Sequence, residues 1–243
     1  MTRPRMAHAA GTGSSAARPR HARLRRRIGS HHARHGRAAP TLPSWGAMTT
    51  VVIFHSALGV RQGELDAAAR LHAAGHEVIV PDLYDGRVFD EYEPAMAWAG
   101  EQPEGFRATR ALAAVAGLPD GFVVAGFSMG SSDAVYVATR RSVSGVLQFA
   151  GLNPVEWFGD DARWPAGVDS QSHQKVDDPF RDPVEEQALA DVAAAGGTLE
   201  LFDYPGAGHL FTDPTLPDEF DAEATELLWS RVLPFVAARG EQA

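Results

Sequence analysis

The chain has no cysteine. Disulfides, thiolate metal ligands and a cysteine nucleophile are therefore excluded, and any active-site chemistry must use oxygen or imidazole groups. It also lacks any run of about 18 apolar residues, so nothing reads as a membrane-spanning helix. Residues 1–47 contain no Asp or Glu, but ten Arg and five His, and almost no large apolar side chains beyond Leu24 and Ile28. Such a segment cannot build a core and is expected to be a disordered basic tail or an over-extended start. Arg25-Arg26-Arg27 is not followed by the apolar stretch an export signal needs, which favours a cytoplasmic protein. A chain beginning at Met48 is expected to keep full stability and activity.

Setting those ten arginines aside leaves 12 basic against 31 acidic residues in the rest of the chain. A body of that charge repels phosphate backbones, which argues against a nucleic-acid partner for the folded domain. With 243 residues and 44% hydrophobic composition, residues 48–243 suit one globular domain. Short runs rich in Val, Ile and Phe alternate there with helical patterns, the signature of βα units around a parallel sheet. The fold class is α/β. Strands are predicted at 50–55, 77–81, 121–127, 144–150, 168–173 and 198–204. Helical faces recur at Leu65, Ala68 and Leu71, at Ala108, Leu112 and Val115, and at Ala224, Leu228, Val232 and Phe235, the last helix carrying Pro234. Asp182-Pro183-Val184-Glu185 reads as a helix start with Asp182 as N-cap.

Two long connections, "PDLYDGRVFDEYEPAMAWAGEQPEG" and "GLNPVEWFGDDARWPAG", follow strands, where parallel sheets bind ligands. Tyr84, Trp98 and Trp157 are expected to wall a pocket there. Gly126-Phe127-Ser128-Met129-Gly130 has the G-x-S-x-G form between an apolar strand and a helical stretch. That context would set Ser128 on a sharp strand-to-helix turn, with the helix N-terminus facing a developing oxyanion. A serine hydroxyl needs a base, and the base an orienter. His209 in "YPGAGHLF" and Asp177 or Asp178 in "VDDPF" follow later strands, in the order Ser, Asp, His. His72 and His76 are expected to face solvent, and His55 to be structural.

"FHSALGV", "PDLYDGR", "GFSMGSSDA", "DDPF" and "YPGAGHLF" together resemble the dienelactone hydrolase family, over residues 50–237. The resemblance implies a single-domain α/β-hydrolase fold with a mostly parallel central sheet flanked by helices. It implies no metal or organic cofactor, and hydrolysis of a small-molecule ester or lactone through an acyl-enzyme; the chain is expected to be a monomer or homodimer. By position Ser128 matches the nucleophile, Asp178 the acid and His209 the base, and the backbone N–H groups of Ala57 and Met129 match the oxyanion hole. The family's usual nucleophile is cysteine, and Ser56 stands where its best-known members carry a glutamate. Of two carboxylate-binding arginines, Arg87 stands near one place, one residue displaced, and Asp213 occupies the other. An acid there would repel a carboxylate, so a neutral ester is expected to be preferred over an anionic dienelactone. The polar "VDSQSHQKVDD" suggests an alternative, a non-catalytic small-molecule binding protein of the same fold with a loosened site. A nucleotide-binding domain is disfavoured by the absence of G-x-G-x-x-G after the first strand and of G-x-x-x-x-G-K-[ST].

Overall fold

The computed structural model describes residues 48–240, so the expected basic tail lies outside the described residues. Six strands form one sheet in the order β2-β1-β3-β4-β5-β6, every neighbouring pair parallel. They are β1 (Thr50–Phe54), β2 (Glu77–Ile79), β3 (Phe122–Phe127), β4 (Val143–Phe149), β5 (Asp169–Lys175) and β6 (Leu199–Tyr204). All six predicted strands are present, shifted by a few residues at their ends. The helices are α1 (Gln62–Ala73), α2 (Tyr92–Gly100), α3 (Phe106–Val115), α4 (Met129–Ala138), α5 (Glu185–Ala194) and α6 (Ala222–Gly240). None of the helices among the described residues is long and apolar enough to cross a membrane.

Parallel strands are covered on both faces, which is why β1 and β3 are apolar at nearly every position and β4 at most. Val51 and Ile53 of β1 join Val123 and Ala125 of β3 in a core with Leu71 of α1 and Leu228 and Val232 of α6. The alternate residues Val52, Phe54 and Val124 pack on the other face with Ala111 and Val115 of α3, Val135 of α4 and Val192 of α5. From β1 the chain steps outward to β2, then crosses back to β3 and proceeds to β6. The strand order therefore reverses between β1 and β3, where ligands of open α/β sheets bind.

Strand β5 breaks the apolar rule. Ser170, Gln171, Ser172, His173, Gln174 and Lys175 are all buried, and burial of polar groups requires partners. On one face Ser170 Oγ accepts from Gln148 Nε2 (3.3 Å), Ser172 Oγ donates to the Gly151 carbonyl (2.9 Å) and Gln174 Nε2 donates to Ser172 Oγ (3.2 Å). On the other, His173 stacks on Phe202 at 4.9 Å and bonds the Tyr204 hydroxyl (2.8 Å). Lys175 Nζ donates to the Pro205 carbonyl (2.7 Å) and to Asp221 Oδ2 (2.5 Å). The polar strand is a hydrogen-bonded part of the core, not a loosened or exposed site.

Three further expectations are corrected. The first long connection contains α2, because Pro94 falls in the first turn of that helix, where a missing N–H costs no bond. Helix α5 starts at Glu185 with Val184 as N-cap, not at Pro183. Arg181 ties Glu185 (2.8 Å) to Asp203 (2.8 Å), and Val184 N–H closes a turn onto the Asp182 carbonyl (2.9 Å). His76 is buried at the end of α1 rather than solvent-facing; His72 is exposed.

Candidate active site

Ser128 joins β3 directly to α4 with φ 51° and ψ −113°, a conformation non-glycine residues rarely hold. Its surroundings over-determine it. The Ser128 N–H donates to the Phe149 carbonyl of β4 (2.8 Å), and the Ser131 N–H (2.9 Å) and hydroxyl (2.6 Å) both donate to the Ser128 carbonyl. A Cβ on Gly126 would run into the Gly130 carbonyl, and one on Gly130 into the carbonyls of Phe54 and His55. The two glycines of the motif thus let helix, strand and turn approach more closely than any side chain permits.

His209 follows β6 and reaches back over the sheet. Its Nε2 lies 2.7 Å from Ser128 Oγ and its Nδ1 2.6 Å from Asp178 Oδ2. An ionised carboxylate only accepts, so Nδ1 carries the hydrogen and Nε2 presents a lone pair to the serine hydroxyl. The other oxygen of Asp178 accepts the Phe180 N–H at 2.8 Å. Asp178 is buried and its neighbour Asp177 is exposed, so Asp178 is the aspartate of the line. Glu219 braces the histidine loop: it accepts the Leu210 N–H (2.6 Å) and the Tyr92 hydroxyl (2.9 Å). The rings of Tyr92 (5.8 Å) and Phe180 (4.7 Å) flank the imidazole. Burial and the adjacent Glu219 charge push the Tyr92 phenol well up, so it stays a neutral donor.

Ser128 and His209 open into a cavity of about 270 Å³. Ala57 and Met129 line it, and among the described residues neither of their backbone N–H groups has an acceptor within the protein. Met129 opens α4, so its free N–H belongs to the helix N-terminus. Trp157 lines the cavity as expected, with Met96, Phe180 and Leu152 forming the rest of an apolar wall. Ser131, Ser132, Asn153 and Gln174 supply a polar side, and Asp182 is the one carboxylate; no Lys or Arg is among the lining residues. Among the described residues no group of three or more His, Asp or Glu is placed to hold a metal ion.

Four expected participants lie elsewhere. Tyr84 is buried behind the cavity, its hydroxyl 3.7 Å from Met129 Sδ, and Trp98 packs edge-on to it at 4.6 Å. Neither lines the cavity, because both rings pack on Phe106 of α3, at 5.9 and 5.8 Å. Arg87 is exposed and lies over Trp98 at 5.2 Å, away from the cavity. Asp213 is buried against Arg61 at 3.0 Å and does not line the cavity, so repulsion of a substrate carboxylate by that residue is not supported. Tyr92 and Met96 were missed because they sit on α2, within a connection read as loop. His55 is structural, as expected: its Nδ1–H donates to the Ser56 carbonyl (2.7 Å) and its Nε2 accepts the Leu83 N–H (3.1 Å).

A parallel sheet with an inverted strand order and a serine on the turn leaving its central strand is the architecture of the α/β-hydrolases. The chain belongs to the dienelactone hydrolase family, whose sequence profile matches residues 37–239, and is thus a hydrolase of the α/β type. Several solved structures share the fold. A dienelactone hydrolase-like promiscuous phosphotriesterase from metagenomic libraries superposes with TM-score 0.64 and 20% identity, over 79% of this chain and 87% of the other. A structure from the pair LipS and LipT, two metagenome-derived lipolytic enzymes, superposes with TM-score 0.58 and 18% identity, over 79% of this chain and 95% of the other. The dienelactone hydrolase of Anabaena variabilis gives TM-score 0.52 and 19% identity, over 78% and 85%. No curated protein matches the chain in sequence.

Proposed function

We propose that the protein is a serine hydrolase that cleaves a small carboxylic ester or lactone through an acyl-enzyme. The observation that carries this reading is the position of His209, 2.7 Å from Ser128 Oγ and 2.6 Å from Asp178 Oδ2. As Ser128 Oγ bonds to the substrate carbonyl carbon, its proton passes to His209 Nε2, and Asp178 stabilises the imidazolium and holds its tautomer. The carbonyl oxygen takes up the electron pair and accepts hydrogen bonds from the Ala57 and Met129 N–H groups at the positive end of α4. Collapse breaks the bond to the alcohol oxygen, which takes the proton from Nε2. Water then gives a proton to Nε2, attacks the acyl carbon and releases the acid, returning the proton to Ser128.

A cavity of about 270 Å³ suits a small substrate. Its apolar wall, its single carboxylate Asp182 and the lack of Lys or Arg in its lining favour an uncharged ester over an anionic dienelactone. That preference rests on Asp182 rather than on Asp213. The test is hydrolysis of p-nitrophenyl acetate and butyrate by wild type and Ser128→Ala. The variant is expected to lose roughly 10³-fold or more in kcat. Equal rates in the two proteins would sink the proposal, and faster turnover of an anionic dienelactone than of the neutral esters would refute the substrate preference.

A further inference from the structure

The turn from Ser56 to Gly59 that carries the Ala57 N–H has nearly all its other polar groups tied down from three directions. From α1, Glu64 Oε1 accepts the Ser56 N–H (3.1 Å) while Oε2 accepts the Arg61 N–H (3.0 Å). From α3, Arg107 Nη2 donates to the His55 carbonyl (2.7 Å) and Nη1 reaches the Ser56 carbonyl (3.5 Å). Asp133 of α4 holds that guanidinium at 2.5 Å. From the connection after β2, the Phe89 N–H donates to the Leu58 carbonyl (2.9 Å). Ser56 Oγ accepts the Leu58 N–H (3.2 Å). The Ala57 N–H, beside the cavity, has no acceptor among the described residues.

We propose that Glu64 is a proton-sensitive positioning residue: as a carboxylate it fixes the turn that carries the Ala57 N–H, and protonating it loosens that turn and slows hydrolysis. The proposal rests on the hydrolase reading above, in which the Ala57 N–H stabilises the oxyanion. A carboxylate can accept two N–H groups at once, whereas a protonated acid turns one oxygen into a donor facing a donor. The Ser56 or the Arg61 end of the turn must then give way. Donors to an oxyanion act only at the right distance, so a small shift lowers the rate without removing the group.

The surroundings bring this change close to neutral pH. Glu64 is 3% exposed, and burial pushes its carboxyl up to about 7, with backbone N–H groups of Ser56, Arg61 and Glu64 itself holding it down and the charge of Asp213 adding to the rise. The charged groups nearest it are Arg61, whose backbone N–H it accepts, and Asp213 from the loop after β6; the Arg107–Asp133 pair of α3 and α4 meets the same turn at the His55 and Ser56 carbonyls. The Arg61 guanidinium is engaged by Asp213 (3.0 Å) and Asp90 (3.0 Å), while Glu64 Oε2 takes the Arg61 backbone N–H. His55 is uncharged, held down to about 3 by burial and by the Arg107 charge.

The experiment compares wild type, Glu64→Gln and Ser128→Ala in p-nitrophenyl butyrate hydrolysis from pH 5 to 9, with thermal unfolding of each protein. The wild-type rate is expected to fall as pH drops through about 7, where Glu64 takes up its proton. Glu64→Gln, which cannot accept with both ends, is expected to lose roughly tenfold in kcat above pH 8, short of the ~10²–10³ for outright loss of a donor. Its KM is expected to stay unchanged and its rate to fall less than that of wild type between pH 8 and 6. Wild-type kcat in Glu64→Gln, or an effect confined to KM, overturns the proposal. If that variant does not fold, a wild-type rate that holds level from pH 8 to 6 overturns the proposal equally. Should Ser128→Ala hydrolyse as fast as wild type, the hydrolase reading itself falls; Ser128→Ala inert with Glu64→Gln unaffected removes only the role of Glu64.

Discussion

Asp177 and Asp178 are chain neighbours in opposite environments, one exposed and one buried against His209. On the proposed mechanism only Asp178 matters. Asn at 178 would offer an amide where Nδ1–H needs an acceptor, and kcat is expected to fall by roughly 10³–10⁴. Asn at 177 should leave it near the wild-type value. Steady-state kinetics of the two variants check this, and comparable losses in both would contradict the geometry. The sequence narrows the acid to this pair but not further, because both residues lie beyond the end of β5, where strand alternation no longer fixes which way a side chain faces. Ser128 and His209 are legible because glycine-rich turns after apolar strands mark them. The partner of Asp213 is not: Arg61 lies 152 residues away in the chain, and no local pattern carries that pairing.

At the scale of elements, the contact between β1, β3 and α4 sets the site. Gly130, in the first turn of α4, lies against the carbonyls of Phe54 and His55, just before the turn that bears Ala57. Since backbone cannot yield as a flexible side chain can, Gly130→Ala is expected to cost about 2–3 kcal/mol and to depress hydrolysis in the molecules that still fold. Urea unfolding followed with the esterase assay checks both parts, and wild-type stability would show that the helix can retreat without cost. The apolar strands are legible because both their faces meet helices. Helix α2 is less so, because "EYEPAMAWAGEQPEG" carries the proline and glycines of a loop, and its Pro94 is harmless only once the helix is known to start at Tyr92. Strand β5 is found by its position but misjudged in character: its hydrogen bonds to Gln148, Gly151 and Tyr204 are tertiary and leave no periodic trace.

Over the whole molecule, the buried titratable groups set opposing responses to acid. Burial, reinforced by the charge of Arg107, holds His55 down to about 3, and burial with Arg231 nearby holds His173 well below its ordinary value. Burial lowers His76 as well. In the unfolded chain each histidine binds a proton below about 6.5. The unfolded state therefore gains more protons than the folded state as pH falls through 6.5, and stability falls with it. Glu64 acts in the opposite sense: between about 7 and its ordinary 4.5 the folded protein holds a proton that the unfolded chain has released. Asp133, also raised by burial, opposes the histidines from 3.8 upward. With His55, His173 and His76 outweighing Glu64 and Asp133, the urea midpoint is expected to drop as pH is lowered from 6.5 to 4.5, at ~1.4 kcal/mol per pH unit for each net proton. Glu64→Gln removes the opposing group and should steepen the drop, while His173→Gln should flatten it. A midpoint that holds steady or rises over this window would mean that His55 and His173 are charged in the folded protein, against the burial and the hydrogen bonds that hold both rings neutral.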